Sequence, residues 1–459
     1  MVPLQSESTL EAVVGRARGL ALRGDDEAAK RVYLEALRLD STCFDALTDL
    51  GALNHASGHR SAARTAYRQA AASHPASPVA HVNLGNVLAE DGDPLAAEAH
   101  YRAALAADPD FAPAHQGLAR VLGELGDPRA ELHLHMGFAG RAIERRRYRG
   151  SGQGAPVLVL ATARLGNMPT GPWIDDRGFA ISVVHVEFWD PSQRLPPHAL
   201  VINAVGDADL CGEALARADE LIAYSSAPIV NLPRRVAATG RADNARRLAG
   251  IPGVVAPRVL TLVRSDILAA ESLGYPLLLR APGYHTGLHF VRVENREDLM
   301  SALATMPGDV VMAMDYLDAR GADRMARKYR VMCVNGKLLP LHLAISQDWK
   351  VHYFTADMAQ NAAHREEERR FLEDMPGVLG GRAIRALGEI FAGIGLDYAG
   401  IDFALTPDGS VMLFEANATM VVIPPSSDSM WDYRRRAVSV VIEAARRMAR
   451  ARAGIDIDC

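Results

Sequence analysis

The sequence predicts a multidomain protein in which an all-α repeat region is followed by an α/β region. Similar residues recur 34 positions apart through the first third of the chain, which is typical of stacked helical pairs. From Pro156 onward, short apolar runs alternate with helical stretches, a pattern that favours a parallel sheet. Close to the C-terminus, two apolar strands joined by a turn carry acidic residues. We therefore expect four segments, namely a repeat domain at 1–138, a linker at 139–155, a small α/β domain at 156–250 and a larger α/β domain at 251–452.

The composition is that of an ordinary globular protein, with 459 residues of which 49% are hydrophobic and 23% charged. A net charge of −5 gives no reason to expect nucleic acid as a partner. We expect neither a signal peptide nor a membrane span, because no basic N-terminal stretch precedes an apolar core and no run of about 18 apolar residues occurs. The cysteines are widely spaced, which favours reduced thiols in a cytoplasmic protein over a zinc or disulfide site: Cys43, Cys211, Cys333 and Cys459.

The repeat region resembles tetratricopeptide repeats. It comprises three full units from about Leu10 to Pro109 and a degenerate fourth unit or capping helix that ends near Gly137. Small residues let paired helices approach, tyrosine and leucine fill the space between them, and glycine and proline end the helices. The positions that recur in register are Gly51 and Gly85, Gly58 and Gly92, Ala63 and Ala97, Tyr67 and Tyr101, Ala70 and Ala104, and Pro75 and Pro109.

Stacked helical pairs leave a concave surface, and the resemblance implies that a peptide or protein binds there. Asn83, Asn86 and Arg120 fall on first helices and are candidates for that surface. A rigid spacer or an element that forms a homodimer is the alternative role. His133 and His135 are two residues apart, which points them to different sides of a helix, so we do not interpret them as a metal site.

The middle of the chain is predicted to be a small α/β domain. A Gly/Ser-rich segment that follows a cluster of arginines is typical of a flexible linker. Asn203 and Asp207 stand at the C-terminal end of the third predicted strand, where open α/β sheets bind ligands, although ordinary loop capping explains them better. No GxGxxG motif follows the first strand, so a dinucleotide-binding fold is not indicated. The predicted strands and helices are Val157–Ala161, Ile181–Val186, Leu200–Ala204, Cys211–Arg217 and Arg234–Leu248.

The last 200 residues supply most of the candidate chemistry. A strand that ends in Arg280 is followed by a loop with two glycines, Ala281–His289, and such a loop beside a cation is a plausible phosphate cover. Asp315 lies near the end of another apolar strand, and Asn335-Gly336 predicts a hairpin after Lys328–Val334. Helices are expected at Arg382–Ile394 and Val438–Arg452.

The stretch from Leu396 to Asn417 reads as two strands joined by the turn Thr406-Pro407-Asp408-Gly409. A carboxylate inside an apolar strand is costly unless something neutralises it. Asp402, Glu415 and Asn417 are expected to meet on the adjacent strands, and their oxygens are ligands of the kind that Mg²⁺ takes beside nucleotide phosphates. The alternative is a hairpin whose acidic residues lie at exposed strand ends.

The order of these segments resembles that of the ATP-grasp superfamily of carboxylate–amine ligases, over about Val157 to Arg447. The most specific part is the pattern GIDF…FEAN. It is closer to glutathione synthetase-like and ribosomal-protein glutamate ligase-like members than to D-alanine–D-alanine ligases. The latter have an arginine just before the motif, where this chain has Gly400.

The resemblance implies a role for each of these residues. Arg330 lies in a segment similar to the family strand that carries an arginine or an acid towards the phosphates, so Arg330 and Arg280 are the catalytic candidates. The D…E-x-N pattern implies that Asp402, Glu415 and Asn417 hold Mg²⁺. In this family two lysines bind ATP, a loop closes over its triphosphate, and a hinge segment contacts the adenine and ribose. The residues of this chain that match those positions, and are expected to bind ATP, are Arg241, Arg280, His285, Met314, Asp315 and Leu317.

Two features depart from the family pattern. Both ATP lysines appear as arginines, which keep the charge and grip phosphate oxygens in a bidentate manner. The closing loop is poorer in glycine, and it contains His285 and His289, which either take part or are merely exposed. These departures indicate either a specialised or an impaired nucleotide site, and the intact metal pattern favours the first.

The function implied by the resemblance is an ATP-dependent ligase that forms an amide through an acyl phosphate. The repeats suggest that a peptide or protein supplies one substrate, with an amine or amino acid as co-substrate. One alternative is a non-catalytic scaffold in which the repeats recruit a partner and the nucleotide site is degenerate. The other is a phosphotransferase that stops after phosphorylation.

Overall fold

The computed structural model of the chain describes residues 4–284, 287–351, 356–426 and 428–455. It divides into two compact units, and each is described by itself. The first comprises residues 1–156, 163–165 and 176–194, and the second comprises residues 157–162, 166–175 and 195–459. Among the described residues, no helix combines the length and apolar character needed to cross a membrane.

The first unit begins with consecutive antiparallel helix pairs, as the repeat spacing predicted. Asp25, Ser77 and Asp93 cap the helices that follow them, because each side chain accepts a hydrogen bond from a backbone N–H in the first turn. The helices are α1 (Leu4–Leu22), α2 (Asp26–Leu39), α3 (Phe44–Ala56), α4 (Arg60–Ser73), α5 (Pro78–Glu90), α6 (Pro94–Ala107), α7 (Ala112–Glu124) and α8 (Arg129–Phe138).

The recurring residues build the core of this helical stack. Tyr67 and Tyr101 are 6% and 0% exposed, and the alanines that recur with them are fully buried. The turn glycines Gly58 and Gly92 have φ values of +78° and +82°, a left-handed conformation that only glycine adopts without strain. The small residues and tyrosines at the 34-residue spacing therefore pack the stack, and the turn glycines set its chain reversals.

The ring of Tyr101 lies between two glycines. A Cβ atom added at Gly85 would lie 2.8 Å from this ring, and one added at Gly117 would lie 2.3 Å from it. The ring is buried on both sides, so it has no room to move away from an added methyl group.

We expect Gly117→Ala to lower the free energy of unfolding of the repeats by about 1–3 kcal/mol, because overpacking a buried ring costs that much. Gly123→Ala in the same helix is the matched control. No atom lies within 4 Å of its added Cβ, and alanine favours a helix over glycine by about 1 kcal/mol, so it should stabilise. Urea unfolding followed by helical circular dichroism measures both, and equal effects of the two variants would contradict this packing.

Strands follow the helical stack. In the first unit, β1 pairs antiparallel with β3, so the segment 139–155, predicted to be a linker, contains a short strand. The first half of the strand series is β1 (Ile143–Arg145), β2 (Ala155–Ala161), β3 (Phe179–His185), β4 (Leu200–Asn203), β5 (Ile229–Val230), β6 (Val254–Val255) and β7 (Val259–Val263). The second half is β8 (Leu277–Arg280), β9 (Phe290–Val293), β10 (Val310–Asp315), β11 (Ala326–Val334), β12 (Lys337–Ser346), β13 (Tyr398–Leu405) and β14 (Val411–Asn417).

In the second unit, the middle of the chain forms the predicted parallel arrangement, since β2 pairs parallel with β4 and β4 with β5. The helices of this unit are α9 (Gly212–Leu221), α10 (Pro233–Ala237), α11 (Arg241–Leu248), α12 (Arg296–Thr305), α13 (Ala362–Glu373), α14 (Met375–Ile394) and α15 (Asp432–Arg452).

The helix predicted as one element from Arg234 to Leu248 is two helices, α10 and α11. The chain is extended at Gly240, and the Asp209 carboxylate accepts a hydrogen bond from the backbone N–H of Arg241 at 3.2 Å. This side chain from another segment satisfies an N–H at the start of α11, so the helix begins at Arg241.

Two further sheets of the second unit position the candidate site. The four-stranded sheet has the order β7-β10-β8-β9 and is antiparallel. The five-stranded sheet has the order β12-β11-β13-β14-β6. Helices α13 and α15 pack on β12, and α14 packs on β13 and β14. Strands β13 and β14 are the predicted hairpin, and the backbone N–H of Thr406 donates to Ser410 across its turn at 3.0 Å.

Candidate functional site

The candidate site is a cavity of about 400 Å³ in the second unit, which is the size of a typical small-molecule site. Residues of the four-stranded sheet and of the five-stranded sheet line it. His285 lies outside the described residues. The other predicted site residues all line this cavity: Arg241, Arg280, Met314, Asp315, Leu317, Arg330, Asp402, Glu415 and Asn417.

Strand register brings the charged residues of the five-stranded sheet together. Asp402 lies opposite Arg330 on β11 and opposite Glu415 on β14, and Asn417 lies opposite Gly400. Side chains two residues apart on a strand share a face, so Glu415 and Asn417 project to the same side. The expected meeting of Asp402, Glu415 and Asn417 on adjacent strands thus has its basis in the backbone pairing.

Asp402 is a buried carboxylate that two cations neutralise. Arg330 donates from Nε and Nη2 to the two carboxylate oxygens at 2.6 and 2.8 Å, and the Nζ atom of Lys328 lies 3.2 Å from Oδ2. Burial works to raise the pKa of Asp402, but the charges of Arg330 and Lys328 outweigh burial and hold that pKa well below its ordinary value. Asp402 is therefore ionised at neutral pH.

Lys328 was not among the predicted site residues. Its position two residues before Arg330 on the same strand places both side chains on one face. The alternation in Lys328-Tyr329-Arg330 was the signal that would have identified it, because the tyrosine between the two cations packs into the apolar side, against Phe371 and Phe403.

Glu415 is linked to a second chain of charges. Arg241 donates from Nη2 to Glu415 at 2.6 Å and from Nη1 to Asp209 at 2.6 Å. Burial tends to raise the pKa of Glu415, but the charges of Arg241 and Arg280 prevail and lower it. Asp209, which sequence reasoning missed, orients Arg241 towards Glu415 from a distant segment, and no local pattern marks it.

Arg280 stands at the base of the loop predicted to close over the triphosphate. It donates to the backbone carbonyl of Tyr284 in that loop, and its guanidinium lies 5.7 Å from the centre of the Phe290 ring. Burial lowers the pKa of Arg280, and the positive charge of Arg241 lowers it further. Two partly buried cations near one another favour an anion between them, which relieves their repulsion.

Asp315 lines the cavity but already has a strong partner. Arg258 donates to its two carboxylate oxygens from Nε, Nη2 and the backbone N–H at 2.7–3.0 Å. The same guanidinium donates to the carbonyl of Leu273 at 2.8 Å. Asp315 therefore fastens the end of β10 to the start of β7, and its role towards a base or ribose stays a prediction.

Lys350 and Trp349 close one side of the cavity, and neither was predicted. The Lys350 Nζ atom donates to the backbone carbonyls of Gly287 and Phe290 at 3.1 and 3.3 Å. The Trp349 ring packs edge-on against Phe290 and Tyr316, with ring centres 5.6 and 6.0 Å apart. The segment after β12 therefore contacts the four-stranded sheet at two places, at the start of β9 and just after the end of β10.

The donor set that Mg²⁺ would meet here is small. Within the described residues, no three His, Cys, Asp or Glu side chains converge as metal ligands, so an ion at the predicted site would have two carboxylates and the Asn417 amide as ligands. A carboxylate offers about four lone-pair sites, which leaves Asp402 and Glu415 acceptor capacity beside the hydrogen bonds they accept. The Asn417 Oδ1 atom already accepts from the backbone N–H and the hydroxyl of Thr419 at 3.0 and 3.1 Å, so an ion there would replace the hydroxyl contact. The oxygens of Asp402 and Glu415, in register on adjacent strands and facing a cavity, fit Mg²⁺.

In the repeats, two of the three predicted surface residues, Asn86 and Arg120, meet at one tyrosine. The Tyr101 hydroxyl donates to the Asn86 side chain at 2.7 Å and accepts from Arg120 at 3.3 Å. His133 lies with its Nδ1 atom 2.8 Å from Nδ1 of His115, so it pairs with another histidine.

Comparisons with known proteins describe the two parts of the chain separately. A family model described as tetratricopeptide repeat matches residues 79–111, which confirms the repeat prediction. A solved structure of MamA from Desulfovibrio magneticus RS-1 is similar to part of the chain, with 24% sequence identity and a TM-score of 0.25. The match covers 27% of this chain and 71% of that one. No curated protein matches the sequence.

Two structures match a larger part of the chain. One is a RimK domain ATP-grasp protein from Sphaerobacter thermophilus DSM 20745, at 18% identity and a TM-score of 0.40 over 64% of this chain and 99% of that one. The other is the VanG D-Ala:D-Ser ligase from Enterococcus faecalis, at 16% identity and a TM-score of 0.40 over 65% of this chain and all of that one. The chain therefore combines tetratricopeptide repeats with an α/β region whose structural neighbours include ATP-grasp ligases.

Proposed function

We propose that this protein is an ATP-dependent carboxylate–amine ligase of the ATP-grasp type that releases ADP and phosphate. The observation that carries the proposal is the convergence of four cations on a pair of carboxylates held in strand register, in a cavity of ligand size. The cations are Arg241, Arg280, Lys328 and Arg330, and the carboxylates are Asp402 and Glu415.

The charges suit a reaction between two anions. A substrate carboxylate and a triphosphate repel each other, so cations placed where they meet lower the barrier. Arg280 comes from the four-stranded sheet, while Lys328 and Arg330 come from the five-stranded sheet. In this proposal Arg241 and Arg280 bind the triphosphate. Arg330 and Lys328, which pair with Asp402 in the structure, exchange that contact for the substrate carboxylate once Mg²⁺ neutralises Asp402.

The bonds that change define the products. A carboxylate oxygen attacks the γ-phosphorus, the bond from that phosphorus to the β-phosphate oxygen breaks, and ADP leaves. The amine nitrogen then attacks the acyl carbon, phosphate leaves with the carboxylate oxygen, and the nitrogen loses a proton. Mg²⁺ bound by Asp402, Glu415 and Asn417 would neutralise phosphate charge.

We further propose that the repeats recruit a peptide or protein that supplies one of the substrates. A linked binding module raises the effective concentration of its ligand at the second site. The surface of first helices around Asn83, Asn86 and Arg120 is the candidate for this contact. Formation of a homodimer through the repeats is the competing role, and light scattering distinguishes the two.

Calorimetry with a non-hydrolysable ATP analogue and Mg²⁺ tests the nucleotide site, and we expect saturable binding at one site per chain. Hydroxylamine then replaces the amine, and a hydroxamate that forms together with ADP identifies the acyl phosphate. A stable phosphorylated product without amide would assign a phosphotransferase instead. If the analogue does not bind, the non-catalytic scaffold is the remaining alternative.

A further inference from the structure

The cavity lining includes a set of aliphatic side chains, called the apolar wall here, that contains none of the predicted nucleotide residues. This wall consists of five aliphatic side chains, and none of them belongs to the four-stranded sheet that carries Arg280 and Met314. They come from β12, from the segments after β12 and after β14, and from α15: Leu341, Val351, Val421, Ile423 and Val438.

The wall adjoins the charged centre. Leu341 precedes His342, which pairs with Arg330 in the register of β11 and β12. Helix α15, which carries Val438, packs on the same two strands. Met420 packs over Gly400, where an added Cβ would lie 2.6 Å from its Cγ atom, so the chain after Asn417 runs across the sheet beside Asp402.

Two members of the wall expose apolar surface. Val421 is 41% exposed and Ile423 is 51% exposed, whereas Val422 between them is 4% exposed. Both exposed side chains line the cavity. Apolar surface in contact with water is unfavourable, and an apolar group of a ligand that covers it recovers this free energy.

On the basis of the proposed function, we infer that the carboxylate substrate bears an aliphatic or aromatic group next to its carboxyl carbon. An α-amino acid such as leucine or phenylalanine, free or at the end of a peptide, has this chemistry. In this inference the cations Arg330 and Lys328 pair with the substrate carboxylate, and the apolar wall contacts the apolar side chain of the substrate. A second carboxylate, as in glutamate, would lie against these five uncharged residues, and Lys350, the cation next to Val351 in the chain, already donates to the carbonyls of Gly287 and Phe290.

A panel of acids tests this inference on the full chain with ATP, Mg²⁺ and hydroxylamine. The panel contains leucine, phenylalanine, glycine and glutamate, and the dipeptides Gly-Leu and Gly-Glu. We expect kcat/KM for the acids with apolar side chains to exceed that for glycine and glutamate by at least about 10-fold, since each methylene-sized contact is worth about 10–200-fold. Calorimetric binding of the same acids with the non-hydrolysable ATP analogue present gives a readout that needs no turnover.

A matched pair of variants locates the preference. Ile423→Asp should lower kcat/KM for leucine at least about 10-fold and leave the affinity for the ATP analogue unchanged. Val440→Asp is the control, because Val440 is 43% exposed on α15 and does not line the cavity.

Three results would overturn the inference: a preference for glutamate or Gly-Glu, equal use of all acids, or no binding of any acid with an apolar side chain. The proposed function is judged separately. A hydroxamate formed with glutamate alone would keep the ligase and discard the apolar substrate, whereas no binding of the ATP analogue would discard the ligase.

Discussion

Glu415→Gln should give a folded protein whose ATP-dependent product formation is reduced by about 10²–10³-fold or more. Glutamine has nearly the same shape, and its amide oxygen still accepts the hydrogen bond that Arg241 donates to Glu415 at 2.6 Å. What is lost is the negative charge opposite Asp402, which the proposed reaction needs to hold Mg²⁺ beside the phosphates. ADP release measured with the best acid of the panel gives the rate.

The control for this variant is Glu389→Gln, which removes an exposed carboxylate from α14. It should retain full activity. The ATP analogue should bind to the Glu415→Gln protein with much weaker dependence on Mg²⁺. Unchanged turnover in the Glu415→Gln protein would remove Glu415 from the reaction, and the proposed metal site with it.

Arg330→Met should lower the free energy of unfolding by about 3–5 kcal/mol, because it leaves Asp402 buried without its bidentate partner. Asp402 is 3% exposed, and within the described part of the chain Lys328 is then its remaining ion-pair partner. The same substitution should also abolish turnover, since it removes the cation proposed to hold the substrate carboxylate. Urea unfolding measures the first effect, and ADP release measures the second.

A second substitution separates the two effects. In the double variant Arg330→Met/Asp402→Asn, residue 402 carries no charge, and the charge that loses its partner is Lys328, whose side chain is 16% exposed and reaches water. Much of the stability should therefore return while activity stays absent. Arg382→Met, which breaks an exposed pair with Asp408, should change the stability little. If the double variant were as unstable as the single one, the buried charge would not be the cause.

The hairpin that carries the acidic residues was predictable because its physics is local. Strand alternation and the turn Thr406-Pro407-Asp408-Gly409 fix the register, and the register decides which side chains face one another. The repeat region was predictable for a similar reason, since each unit contacts mainly its neighbours. The sequence also predicts that Arg280 ends one apolar strand and that Arg330 lies within another.

The contacts that complete the site join segments far apart in the sequence. Asp209 binds Arg241, Arg258 binds Asp315, and Lys350 binds the loop at Gly287. None of these pairs has a local signature, because which charges meet depends on how separate elements pack. The strand Ile143–Arg145 was missed because two of its three residues are exposed and charged, which is typical of a linker.

Transfer of a labelled oxygen tests the proposed chemistry most directly. The best acid of the panel is prepared with ¹⁸O in both carboxylate oxygens and incubated with the full chain, ATP, Mg²⁺ and an amine. If a carboxylate oxygen attacks the γ-phosphorus and the amine then displaces phosphate, mass spectrometry finds one ¹⁸O atom in the inorganic phosphate for each amide formed, together with ADP. Unlabelled phosphate, or the label in AMP, would contradict an acyl phosphate and with it the ligase proposed here.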